Sequence, residues 1–116
     1  MSLAIEVTGL TKSYKTKSGD TIDAVKGIDL HVAEGEILAF LGANGAGKTT
    51  TIEILEGFRN RTSGTVQVLG EDPQDPSRSW REDIGIVLQE SSPDRSLTAH
   101  ESVSMYASFY DAPRPV

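Results

Sequence analysis

Leu3, Ile5 and Val7 alternate with Ala4, Glu6 and Thr8, a period of two that predicts a half-buried strand. Thr11 to Asp20 interrupts the pattern. It is polar, carries Lys12, Lys15, Lys17 and Gly19, and reads as a loop or hairpin tip. Alternation resumes at Ile22 and Ala24 and runs through Ile28, Leu30 and Val32, with Asp29 and His31 on the opposite face. The connections are too short for crossover helices, so these strands are expected to pair antiparallel. Glu36-Ile37-Leu38-Ala39-Phe40-Leu41 is different in kind: a continuous apolar run after Gly35, as in a parallel strand buried on both faces. From Lys48 to Glu56 the spacing becomes helical, with Ile52 and Leu55 three apart and Gly57 where a helix-ending glycine belongs.

Beyond that helix, Arg59 to Gly64 is polar, and Thr65 to Leu69 is β-branched and apolar enough for another strand. Glu71 to Ser77 holds Pro73 and Pro76 and predicts a loop. Asp75-Pro76 can cap and start a short helix in which Trp80 and Ile84 share a face. Ile84-Gly85-Ile86-Val87-Leu88 is a second buried-strand candidate, followed by a polar loop from Ser91 to Ser96. Thr98-Ala99-His100-Glu101 fits a capping box, and the helix it opens puts Val103, Tyr106, Ala107 and Tyr110 on one face. Pro113 and Pro115 prevent its continuation.

The chemistry lies between the first apolar run and the first helix. Gly42-Ala43-Asn44-Gly45-Ala46-Gly47-Lys48-Thr49 fits the phosphate-binding pattern G-x-x-x-x-G-K-[ST]. Glycines let the backbone adopt positive φ and approach a ligand with no Cβ in the way. Successive N–H groups then turn inward as a nest for anions. Lys48 can reach outer phosphates as a point charge, and Thr49 offers a hydroxyl to Mg²⁺. A helix beginning here aims its positive end at the same phosphates. The competing reading is a glycine-rich turn between two core elements; the flanking strand and helix patterns favour the phosphate loop.

Bulk properties narrow the picture further. A chain of 116 residues is one small domain or part of one. No apolar run approaches the roughly 18 residues of a membrane span, and no secretory signal pattern opens the sequence. With no cysteine, disulfides and thiol metal sites are excluded, which fits a cytosolic address. The net charge of −6 argues against a nucleic-acid binder held by bulk charge. It does not argue against ATP, because a phosphate loop acts locally.

Several stretches taken together resemble the first half of an ATP-binding-cassette (ABC) ATPase. They are Ala24 to Leu30, Glu34-Gly35-Glu36, Gly42 to Thr50, Ser63-Gly64-Thr65-Val66 and Ile84 to Gln89. The resemblance spans almost the whole chain, and the wording is similar to subunits of drug- and polysaccharide-export transporters. It implies an α/β fold: a P-loop NTPase core with an antiparallel β-subdomain over residues 1–88, then the Q-loop and the start of a helical subdomain over 89–116. It implies phosphate contacts from Gly42, Asn44, Gly45, Ala46, Gly47, Lys48, Thr49 and Thr50. Tyr14 matches the aromatic that stacks on adenine; by itself it reads as a loop tyrosine with no ligand. Gln89 matches the Q-loop glutamine, whose amide oxygen contacts Mg²⁺ or the attacking water; by itself it reads as a solvated residue at a strand end. The resemblance thus gives Lys48 and Gln89 catalytic roles and Thr49 and Gln89 the metal.

The implied activity is ATP hydrolysis, with Mg²⁺, coupled to transport. The implied partners are a transmembrane permease subunit and a second cassette, with no nucleic acid. The implied location is the inner face of the cell membrane. A nucleotide-binding module without catalysis, another P-loop enzyme such as a kinase or GTPase, and a soluble non-transport cassette are the alternatives; no Asn-Lys-x-Asp motif supports a GTPase. Glu90 reads as a loop residue rather than a metal-holding strand end, Ser63-Gly64 as a turn into a strand, and His31 and His100 as structural or solvated. The family's signature sequence, its acidic strand end and its switch histidine all lie downstream of Gln89, and none is present here. The chain therefore reads as a fragment that lacks the rest of the helical subdomain and the C-terminal half of the core. Alone it is expected to be marginal, prone to associate, and capable at most of nucleotide binding.

Overall fold

A computed structural model describes residues 2–42, 47–88 and 94–116. The chain forms two units, Met1–Ile84 and Gly85–Val116. In the first, the alternating segments become a long hairpin. Strand β1 (Leu3–Lys15) pairs antiparallel with β2 (Thr21–Ala33), from Leu3 opposite Ala33 to Lys15 opposite Thr21, with register shifts along the way. The polar stretch expected to be a loop or hairpin tip divides in half: residues 11–15 continue the strand and residues 16–20 form the hairpin tip. There Thr16 N–H donates to Asp20 O at 2.8 Å and Gly19 N–H to Thr16 O at 3.0 Å. Polarity is no bar to pairing on a solvated face, where Ser13 Oγ donates to Asp23 Oδ1 at 2.7 Å.

Val7 and Leu10 are both buried although three residues apart, which strict alternation forbids. The register shifts between them, and Gly9 at φ 60° forms the bulge that returns Leu10 to the core face. Strand β3 (Ser63–Val68) pairs antiparallel with the other edge of β1, giving the order β2-β1-β3. Its end turns tightly. Leu69 at φ 52° and Gly70 at φ 80° link Val68 to Glu71, the two-residue geometry of a twisted hairpin.

Helix α1 (Lys48–Leu55) covers the sheet. It buries Thr51, Ile54 and Leu55; of the expected pair Leu55 is buried, while Ile52 stays 40% exposed. The stripe 51-54-55 follows the i, i+3, i+4 rule, and Ile52 is rotated about 100° away from Thr51. The helix ends as expected at Gly57, φ 78°: Gly57 N–H donates to Ile54 O at 3.1 Å and Phe58 N–H to Glu53 O at 2.9 Å. These two bonds satisfy carbonyls that the helix would otherwise leave open. Helix α2 (Arg78–Glu82) starts after Ser77, not after Asp75, because Ser77 N–H and Oγ are held by the Glu71 carboxylate at 2.7 and 2.9 Å. Trp80 closes the core at 2% exposure, its Nε1–H donating to Val68 O at 2.8 Å. Ile84 packs against the same cluster.

Two expected strands are not formed. Residues 36–40 and 84–88 are irregular, with Ile37 97% and Val87 94% exposed. A parallel strand exists through its ladder, and among the described residues neither segment has a paired neighbour; an apolar sequence supplies no hydrogen bonds of its own. In the second unit, helix α3 (Ala99–Ala107) carries the expected capping box: Glu101 N–H donates to Thr98 Oγ1 at 3.1 Å and Thr98 N–H to Glu101 Oε1 at 2.9 Å. None of its residues is buried.

Candidate functional site

The start of α1 is built around a single glycine. Gly47 occupies the N-cap position at φ 85°, ψ 10°, a left-handed conformation costly for any residue with a Cβ. A Cβ there would also run into the Ala24 carbonyl oxygen and lie 3.3 Å from Val25 Cγ2 on β2. The glycine therefore lets the helix N-terminus sit directly against the sheet. The first intrahelical bond runs from Thr51 N–H to Gly47 O at 2.9 Å. The N–H groups of Lys48, Thr49 and Thr50 precede it and have no acceptor within the helix. Among the described residues no side chain caps them, and the first turn holds no acidic residue. Those donors and the positive end of the helix suit an anion.

Lys48 Nζ bends back to donate to the carbonyl of Gly42, so it spans the loop mouth. An ammonium has three donors, and this bond uses one of them. Thr49 is exposed, and Thr50 and Lys48 are half-buried, so these polar groups line the surface at the helix start while Thr51 is buried beneath them. Among the predicted phosphate contacts, the structure brings together Gly42, Gly47, Lys48, Thr49 and Thr50. Asn44, Gly45, Ala46 and Gln89 lie outside the described residues, as does Glu90. The donor set fits a polyphosphate with a hard cation: backbone N–H groups, one ammonium and one hydroxyl. No cluster of three His, Cys, Asp or Glu side chains able to hold a metal occurs among the described residues.

Tyr14 lies on β1 opposite Ile22, in regular strand rather than in a loop. Its ring is half-buried and attended by two cations. Lys12 Nζ is 5.0 Å and Arg59 Cζ 5.5 Å from the ring centroid. Arg59 Nε also donates to Glu53 Oε2 of α1 at 2.6 Å, which raises the guanidinium pKa above its ordinary value. Sequence reading missed both Arg59 and Glu53. The available signal was Gly57: a left-handed residue after the helix reverses the chain, and a reversal brings residue 59 back toward residue 53. Partial burial, and then the neighbouring charge of Glu53, raise the Glu56 pKa above its ordinary 4.5. His31 and His100 are exposed, and Ser63 and Gly64 are the first two residues of β3.

Residues 25–114 match the family model described as ABC transporter. The Nod factor export ATP-binding protein I of Paraburkholderia xenovorans is 36% identical over 107 residues, which is 92% of this chain and 34% of that protein. The methionine import ATP-binding protein MetN of Streptomyces avermitilis is 37% identical over 111 residues, 87% of this chain and 32% of that protein. A solved dimeric bacterial ABC transporter cassette superposes with a TM-score of 0.76 at 28% identity, over 96% of this chain and 50% of the cassette. The chain thus spans about a third of these curated relatives and half of a solved cassette.

Proposed function

Because the chain belongs to the ABC transporter family, we propose that it is the nucleotide-gripping part of an ATP-binding cassette. The whole protein would bind ATP with Mg²⁺ and hydrolyse it to drive transport. The observation that carries this reading is the start of α1. A left-handed glycine with no room for a Cβ is followed by three N–H groups without a helical acceptor and a lysine folded over the loop mouth.

A polyphosphate tail meets the chemistry it needs there. Lys48 exchanges the weak Gly42 carbonyl for phosphate oxygens, a stronger charge-assisted partner. The N–H groups of residues 48–50 donate to the same oxygens. When water attacks the terminal phosphorus and the bond to the leaving diphosphate breaks, negative charge is spread over the phosphoryl and bridging oxygens. Donors already fixed at that position stabilise it without reorganising. Thr49 and Gln89 would hold Mg²⁺, which neutralises phosphate charge when bound. Tyr14 would offer its ring to the adenine. Its partners would be a transmembrane permease, at the inner face of the membrane, and a second cassette. A dimer is the state in which the related bacterial cassette was solved. One relative is named for export and another for import, at nearly equal identity.

The test is ATP binding by the whole protein after Lys48→Ala combined with Thr49→Ala. Affinity for ATP·Mg²⁺ is expected to fall by at least tenfold, in line with the loss of a charge-assisted contact of about 1.5–3 kcal/mol. Retained affinity with an intact circular dichroism spectrum would remove the reading.

A further inference from the structure

Tyr14 and Lys48 sit on different elements, the β1 strand and the α1 helix. A nucleotide that stacks its base on one and lays its phosphates on the other needs the two held at a fixed separation. Arg59 touches both sides. Its guanidinium lies 5.5 Å from the centre of the Tyr14 ring, and its Nε is bonded at 2.6 Å to Glu53, one and a half turns along α1 from Lys48. Both ends of this link are restrained. Glu53 is part of the helix, and its backbone carbonyl also accepts from Arg59 N–H at 3.2 Å. The segment that carries Arg59 is pinned to β1 beside the tyrosine: Thr62 N–H donates to Thr11 O, and Ser13 N–H to Thr62 Oγ1, each at 2.9 Å. The Arg59 and Glu53 side chains are 36% and 25% exposed, so water screens the pair only in part.

We propose that Arg59, tethered to the phosphate-loop helix through Glu53, is a positioning residue that fixes the Tyr14 ring relative to that helix and so sets the base half of the nucleotide site. The proposal rests on the reading of Tyr14 as the base-stacking residue. An arginine suits the task. Its flat guanidinium is always charged, stacks on an aromatic face and keeps a second edge for a carboxylate. Lys12 differs from it. Its ammonium lies 5.0 Å from the ring centre but has no acid partner among the described residues. Lys12 is therefore the cation that yields when a base takes up the ring, and Arg59 the one that stays.

The experiment compares ATP·Mg²⁺ with inorganic tripolyphosphate, which has no base, as ligands of the whole protein. Arg59→Ala is expected to weaken ATP about three- to tenfold, the scale of one partly exposed cation–π contact and the stacking it orients. Tripolyphosphate affinity is expected to stay unchanged. Glu53→Gln, which removes the tether with almost no change of volume, should move ATP in the same direction and carries the test if Arg59→Ala fails to fold. Arg59→Lys should restore part of the loss. In a Tyr14→Ala background, Arg59→Ala should add nothing. If Tyr14→Ala itself leaves ATP affinity intact, the stacking reading falls and the positioning role with it. If Tyr14→Ala weakens ATP but Arg59→Ala and Glu53→Gln do not, stacking stands and the positioning role is overturned. It is equally overturned if Arg59→Ala weakens tripolyphosphate as much as ATP, or if Lys12→Ala costs as much as Arg59→Ala. In that last case any nearby cation would serve, tethered or not.

Discussion

Gly47 meets two demands that no other residue meets together. Its backbone is left-handed, and its missing side chain is the space in which the Ala24 carbonyl lies. Lys48 next to it is a donor waiting with a carbonyl, and Thr49 an exposed hydroxyl. Seven residues beyond Thr49, at the C-cap of the same helix, Glu56 works against stability. Partial burial and the charge of Glu53 raise its pKa above 4.5, so the folded protein holds the proton more tightly than the unfolded chain. The sign follows: below pH 4.5 both states are protonated and nothing is lost, and as pH rises through the folded value the native state bears a growing penalty. Glu56→Gln removes the ionisable group. It is expected to stabilise the protein at pH 7 by about 0.5 kcal/mol, discounted for partial exposure. The gain should vanish by pH 4, as read from urea unfolding at the two pH values. An equal gain at both would mean that charge is not the cause.

At the scale of elements, the termini of the first helix and the corners of the sheet decide the geometry. Helix α1 is only eight residues long, too short to persist alone, and exists because Ile54 and Leu55 are buried against Val25 and Val66 and because Gly57 closes its end. The bulge at Gly9 is tied to β2 by a bond from its N–H to Asp29 Oδ1 at 2.6 Å, and Gly64 on β3 fits there because a Cβ would lie 2.5 Å from the Gly9 carbonyl. The Leu69–Gly70 turn is less well served. Leucine at φ 52° sits in a region that costs an L-residue about 1–2 kcal/mol, whereas asparagine tolerates it and Asn-Gly is the favoured pair for this turn. Leu69 is 45% exposed, so part of the gain is offset by lost burial. Leu69→Asn is expected to raise stability by about 0.5 kcal/mol net. A lowered melting temperature would show that the half of Leu69 that is buried matters more than its backbone angle.

For the molecule as a whole, the notable feature is how much apolar surface faces water. Ile37, Leu41, Val87 and Leu88 are between 63% and 97% exposed, and Val103, Tyr106 and Phe109 between 54% and 67%. Side chains of this kind normally bury, and contiguous exposure of them drives association. The net charge of −6 opposes aggregation but does not cover the apolar side chains. The 116-residue chain by itself is therefore expected to self-associate, with a sedimentation coefficient that rises with concentration in the micromolar range. A monomer at every concentration, melting in one cooperative step, would contradict this.

The sequence by itself determined the features that depend on neighbours along the chain. The phosphate-loop pattern through Lys48 and Thr49 and the helix stop at Gly57 are local chemistry, as is the Thr98–Glu101 capping box. So is the alternation that builds the β1–β2 hairpin, because the period of two needs no distant partner. Tertiary structure decided whatever depends on residues far apart. It carried β1 through a polar stretch to Lys15, and it chose Ile54 over Ile52 for the core. It left the apolar runs at 36–40 and 84–88 without a ladder. It also joined Tyr14, Arg59 and Glu53 into one contact. Hydrogen-bond ladders, buried faces and cation–ring contacts take their energy from the second partner, and a linear pattern does not say where that partner will be.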